Sequence, residues 1–178
     1  MNFRKRTYVY LAVCIIGFCA WGISFWNVNH KFPYKICGAY KTGDTFTEND
    51  CEISVNSAEV MTTEQLAAAC ENLSVEDIEE WGYTDCNYFV ADVDVTNLTG
   101  KEIDSNVYLW ILNCGGYGNG CSFLTDLNTP EVRSLAAGET ANVQLIFAVT
   151  EKGMQEMKKY PVKLYTSLYP EVRYITYE

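Results

Sequence analysis

The sequence predicts a mainly β protein: an antiparallel β-sandwich of about seven strands with a short inserted helical pair, behind one N-terminal transmembrane helix. Three observations predict it. Residues 8–26 carry no charged side chain and follow a basic start at Arg4, Lys5 and Arg6. From Thr42 onward, apolar residues recur at every second position in several runs of strand length. Between two of those runs, residues 62–81 switch to helix-forming composition with two capping signatures.

At 178 residues the chain has room for one folded domain. The uncharged run would span about 28 Å as a helix, close to the hydrocarbon thickness of a bilayer. Tyr8 and Tyr10 stand near one end, and Trp21 and Trp26 near the other, where interfacial aromatics belong. The expected layout is a cytoplasmic tail over 1–7, a signal anchor in the lipid bilayer over 8–26, a juxtamembrane stalk over 27–41 and an extracytoplasmic domain over 42–178. Two other readings compete. Ala20 and Gly22 ahead of Ile23 would suit signal-peptide cleavage and a secreted product, and Leu11-Ala12-Val13-Cys14 looks like a lipobox with a poor residue before its cysteine.

The acidic balance, 23 acids against 13 bases and a net charge of −10, excludes a nucleic-acid partner, which needs clustered Lys and Arg. Setting aside the +3 of the N-terminal tail leaves −13 for residues 27–178, which aids solubility and keeps the domain off anionic lipid.

Along the chain, the stalk holds His30, Pro33 and Gly38. Residues 42–61 read as a half-buried edge strand, with Glu52, Ser54 and Asn56 alternating with Ile53, Val55 and Ser57. Thr62 with Gln65, and Ser74 with Asp77, form capping boxes for two short helices. The cluster Glu76, Asp77, Glu79 and Glu80 reads as a solvated helix face favoured near a helix start. Next, Phe89, Ala91, Val93 and Val95 point inward and Asp92 and Asp94 outward on a strand that ends in a turn at 97–101. Residues 106–113 are apolar on both faces and read as a central buried strand. The segment Cys114–Cys121, with four glycines in six residues, reads as a loop. A turn at 135–140 leads into the alternation of Val143, Leu145, Phe147 and Val149. A helical or turn segment follows, then two strands separated by Pro170.

These motifs carry a resemblance. Val95-Thr96-Asn97, the turn from Leu135 to Glu139 and the break at Tyr169-Pro170 resemble the immunoglobulin-like extracytoplasmic domains of unknown function on Gram-positive bacterial surfaces. The resemblance covers roughly residues 86–178. It implies an immunoglobulin-like sandwich tethered by lipid or by a single membrane helix, and it carries no catalytic residue.

Cys14 and Cys19 lie in the apolar run, and six cysteines remain outside it. An even number in an exported segment suggests disulfides, and spacing favours Cys37–Cys51, Cys70–Cys86 and Cys114–Cys121 among the 15 pairings that six cysteines allow. Zinc is not expected, because no two of the six cysteines outside the apolar run stand at C-x₂₋₄-C spacing. No catalytic residue, cofactor or metal is expected: the single histidine sits in the stalk, and the nucleophile-elbow, phosphate-loop and zincin motifs are missing. Tyr117, Tyr165, Tyr169, Tyr174 and Tyr177 are candidate partner contacts, since tyrosine joins apolar area to a hydroxyl. The expected function is a tethered module that binds a protein or envelope polymer, or serves structurally. The alternatives are a hydrolase acting on envelope polymers through paired carboxylates, and a small inhibitor of an envelope enzyme that uses the loop at 114–121.

Overall fold

A computed structural model describes residues 3–31, 35–83, 85–169 and 171–177. The side chains of residues 3–7, 9 and 12, together with Pro33 and Pro170, lie outside the described set. The basic cluster, one lipobox position and two of the expected turn prolines therefore lie outside it.

The chain divides into two compact units, residues 1–36 and 37–178. The first holds helix α1 (Phe3–Lys31), unbroken through the uncharged run. Among the described residues no helix is long and apolar enough to cross a membrane. The span expected over 8–26 is thus not met by these residues alone.

The second unit is a two-sheet β-sandwich. Strands β1 (Ile36–Lys41), β2 (Thr45–Glu48) and β3 (Cys51–Met61) come first. Helices α2 (Thr63–Ala69) and α3 (Val75–Trp81) follow, then β4 (Asn87–Asn97), β5 (Ile111–Cys114) and β6 (Tyr117–Gly120). Helix α4 (Leu124–Asn128), β7 (Thr140–Val149), α5 (Glu151–Met157), β8 (Val162–Ser167) and β9 (Val172–Tyr177) complete it. One sheet runs β1-β9-β8-β5-β6 and the other β2-β3-β4-β7.

The core follows from the period-two pattern. Phe89, Ala91, Val93 and Val95 of β4 meet Val143, Leu145, Phe147 and Val149 of β7, facing Leu112, Leu164 and Ile175 of the other sheet. The opposite face of the same two strands is also buried at one end. Tyr88, Val90, Ile146 and Ala148 pack under Leu66, Ile78 and Leu124 in a second apolar cluster. Both capping boxes form: the Thr62 and Ser74 hydroxyls accept from the backbone N–H groups of Gln65 and Asp77, whose side chains accept from the cap N–H groups in return.

Three expectations are corrected. The strands number nine among the described residues, because 42–61 folds into two, the glycine-rich segment supplies another, and Ile36–Lys41, in the expected stalk, adds β1. Asn49 and Asp50, at φ 49° and 65°, make the two-residue turn between β2 and β3, the doubly positive φ that such hairpins require. This leaves β3 inside its sheet, with β2 as the edge strand. Residues 106–113 do not form one strand. Asn106 adopts φ 59°, held by its N–H to Asp104 Oδ1 at 2.9 Å, a 3₁₀ turn covers Val107–Leu109, and Leu109 is exposed. The segment 114–121 is a hairpin rather than a loop. Gly115, at φ +56°, turns the chain so that Cys114 pairs with Tyr117 and Ile111 with Gly120.

The hairpin also overturns the disulfide set. Cys114 stands at its closed end opposite Tyr117 and Cys121 beyond its open end, about 13 Å away along the strand, too far for a bridge. All eight cysteines are free. Cys114 donates to Tyr160 O, Cys70 to Gln144 Oε1 and Cys86 to Tyr83 O, each at 3.2 Å. Cys37 is exposed on one sheet, and Cys51 is buried on the other. The pairs Cys37–Cys51, Cys70–Cys86 and Cys114–Cys121 are therefore absent.

The two turns that carried the resemblance are a single unit. Asn97 is buried, and its carboxamide nitrogen lies 2.7, 3.0 and 2.9 Å from the carbonyls of Lys101, Leu135 and Ala136. One side chain thus ties the 97–101 turn to the 135–139 turn.

Candidate functional site

Where the helical cover ends, the outer face of the β2–β3–β4–β7 sheet becomes polar. Asp92 Oδ1 accepts from Asn56 Nδ2 and Asn142 Nδ2, both at 2.8 Å, and Asp94 Oδ1 accepts from Asn142 Nδ2 at 2.9 Å. The register places Asp94 opposite Asn142 and Asp92 opposite Gln144, so the carboxylates and amides form a cross-strand row. The two aspartates are thus held by amide donors, and no nucleophile stands among their hydrogen-bond partners.

A cleft of about 370 Å³ opens beside this row. The turn after α2 contributes Glu71 and Asn72, the segment after α4 contributes Thr129 and Glu131, and β7 contributes Asn142 and Gln144. Asn128 braces the cleft. It is buried, its Nδ2 donates to Gln144 Oε1 at 2.8 Å, and its carbonyl accepts from Asn72 Nδ2 at 2.7 Å. Gln144 Oε1 also accepts from the Cys70 thiol. With its oxygen engaged twice, Gln144 has its amide nitrogen left as a donor for a ligand. Burial pushes the Cys70 thiol up to about 11, so it stays protonated at neutral pH and is a poor nucleophile. The lining offers donors and acceptors of both kinds, with carboxylates at Glu71 and Glu131.

The candidate tyrosines do not gather into one surface. Tyr117 is a strut: its hydroxyl donates to Ala148 O at 2.8 Å, and its ring presses on Gly153, where a Cβ would come within 2.9 Å. Tyr177 is buried and meets Phe89 edge-on at 5.5 Å. Tyr165 and Tyr174 pair across β8 and β9 at 5.6 Å, with Lys163 Nζ 4.5 Å from the Tyr174 ring. Tyr169 is exposed. Of the acidic cluster, Asp77 serves the cap of α3, and Glu76, Glu79 and Glu80 are exposed.

Sequence reasoning missed the cleft. The outward positions of Asn142 and Gln144 were legible from the alternation of β7. The amide brace was not, because Asn72 reaches it from the turn after α2 and Asn128 from the end of α4, and their placement over the sheet is a tertiary fact.

No family model and no curated relative matches the chain. Solved structures do share the fold. An uncharacterized beta-sandwich protein from Clostridium difficile aligns at TM-score 0.56 and 15% identity, covering 81% of this chain and 96% of that one. A functionally unknown protein from Listeria monocytogenes aligns at TM-score 0.50 and 14% identity, covering 68% of this chain and 69% of that one. A putative lipoprotein from Bacillus subtilis aligns at TM-score 0.45 and 9% identity, covering 75% of this chain and 38% of that one, a likeness too low to carry an argument. The chain is similar to these in its β-sandwich alone.

Proposed function

We propose that the chain is a non-catalytic binding module of the immunoglobulin-like extracytoplasmic type, held at the membrane by α1, whose polar cleft takes a hydroxyl-rich envelope glycan. The observation that carries the reading is the donor set. Asn72, Asn142 and Gln144 with Glu71 and Glu131 line one cleft, braced by a buried amide and lacking an activated nucleophile. Sugar hydroxyls donate and accept at once, which matches carboxamides that do the same and carboxylates that accept. Supporting the tether are the unbroken helix through the uncharged run and the exposed side chains of Leu11, Ile15, Ile16, Phe18 and Trp21, which suit lipid better than water.

The test titrates purified envelope glycan into the full-length chain in detergent micelles, following heat release. Binding that falls at least tenfold in Gln144→Ala supports the reading; a glycan that does not bind, or one that is hydrolysed, overturns it. Resistance of the full chain to alkaline carbonate extraction from membranes tests the tether, and release into the supernatant rejects it.

A further inference from the structure

Strand β3 is covered on its outer edge for only part of its length. β2 pairs with residues 51–54, and Val55 exchanges backbone hydrogen bonds with Gly43 and Asp44. A bulge lies between Val55 and Ser57, after which β4 continues alongside β3 to Met61. Among the described residues, no backbone group pairs with 56–61 on the side away from β4. Proteins usually blunt such edges with lysine or proline, or cover them. Residues 56–61 carry neither residue; their edge is blunted only by the bulge at its start and by Glu59.

A groove lies on each side of this open edge. The inner one, about 530 Å³, runs past Ala58 and Val60 to Met157, Tyr160, Pro161 and Tyr177. The outer one, about 320 Å³, is bounded by Glu59, Met61, Gln65, Ala68 and Ala69. The register explains the split. Ala58 and Val60 stand opposite Ala91 and Phe89, which face the core, and Glu59 and Met61 stand opposite Val90 and Tyr88, which face the helices. A strand laid along the edge would send alternate side chains into the two grooves. Two further signs mark the position as unfilled. Val60 is 40% exposed although it lies on the core-facing side. Tyr177, on the inner groove, is only 7% exposed, yet its hydroxyl has no hydrogen-bond partner.

Charge selects the occupant. Residues 42–100 contain fourteen acidic side chains and no Lys, Arg or His. A second copy would bring the same acidic edge against this one, which disfavours self-pairing. On the inner groove, Lys158 and Lys159 line the α5 side and discourage basic side chains there. The lining of the outer groove has no lysine; Glu59 lines both grooves, and Glu64 stands in the first turn of α2.

We propose that the open edge of β3 receives an extended peptide segment of a partner protein, paired through its backbone, with apolar side chains in the inner groove and basic ones in the outer groove. This site is separate from the polar cleft, and the two proposals fail independently. The full-length chain in micelles is screened against ten-residue peptides in which apolar residues alternate with lysine or arginine. Control sets replace the basic residues with glutamate or place proline at every second position. The alternating basic set is expected to bind and to slow amide exchange across 56–61. N-methylation of the edge-facing amides of a binding peptide is expected to weaken it at least tenfold, and Val60→Asp, which places a charge in the inner groove, is expected to do the same. Failure of the whole basic set to bind overturns the proposal, as does binding that tolerates N-methylation or that protects other segments. Concentration-dependent dimerisation that protects 56–61 without peptide also overturns it, because the edge would then belong to a second copy.

Discussion

The two ends of the outer face of the β3–β4–β7 sheet have opposite fates. At one end, Tyr88, Val90, Ile146 and Ala148 lie under α2, α3 and α4 and are as buried as the sandwich core. At the other, Asp92, Asp94, Asn142 and Gln144 are half-exposed or open; Asn142 bridges the two aspartates across strands, and Gln144 accepts from Asn128 and Cys70. The strands themselves do not differ. A helical cover needs apolar side chains beneath it, and β4 and β7 supply them only where the cover lies. The polar half is left open to solvent, and the cleft sits at the boundary between the two.

The sharpest way to break this comparison is to empty the two faces at neighbouring positions. Phe147→Ala opens the sandwich core and should cost about 3–5 kcal/mol in denaturant unfolding. Ile146→Ala, one residue earlier on the opposite face, should cost about 2–5 kcal/mol if the helical cover is true core. A cost below about 1 kcal/mol for Ile146→Ala, in the range of a surface change, would show that the cover contributes little.

This pair also shows what the sequence made legible. The inward set of β4 and β7 was readable from strict alternation, and the two helices from Thr62–Gln65 and Ser74–Asp77, because caps and periods are local signals. Val90 and Ile146 were not readable as core, since their burial depends on helices distant in sequence. Local signals also misled. Dense apolar composition over 106–113 hid the turn that Asp104 imposes on Asn106, and glycine richness over 115–120 hid a hairpin that uses a positive φ at Gly115. Even cysteine number suggested bridges, yet Cys114 and Cys121 were separated by the length of that hairpin. The amide brace of the cleft joins three segments, so no single stretch announced it.

A smaller effect tests how firmly the cover is pinned. Ser74→Ala removes the hydroxyl that accepts from Asp77 N at 3.1 Å and should cost about 1 kcal/mol. Asp77 answers by accepting from Ser74 N at 2.8 Å, and its hydrogen bonds to the Ser74 hydroxyl and backbone hold its carboxyl below the usual range. A lowered folded-state pKa means that this contribution is present above the unfolded carboxyl pKa and is lost as pH falls through the folded one. The gap in stability between the native chain and Ser74→Ala should therefore narrow as pH drops below about 4. A gap constant down to pH 2 would show that the carboxylate plays no part in the cap.

The smallest effect belongs to the open half. Asp94 holds Asn142 Nδ2 through Oδ1 alone, and asparagine can present the same oxygen. Asp94→Asn should thus leave the free energy of unfolding within about 0.5 kcal/mol of the native value in denaturant titration. It removes one negative charge from a row that Asn142 shares with Asp92 and leaves the amide contacts in place. A loss comparable to that of Ile146→Ala would mean that the polar row is a structural clamp rather than a surface. The division between a covered half that stabilises and an open half free for the proposed ligand would then fail.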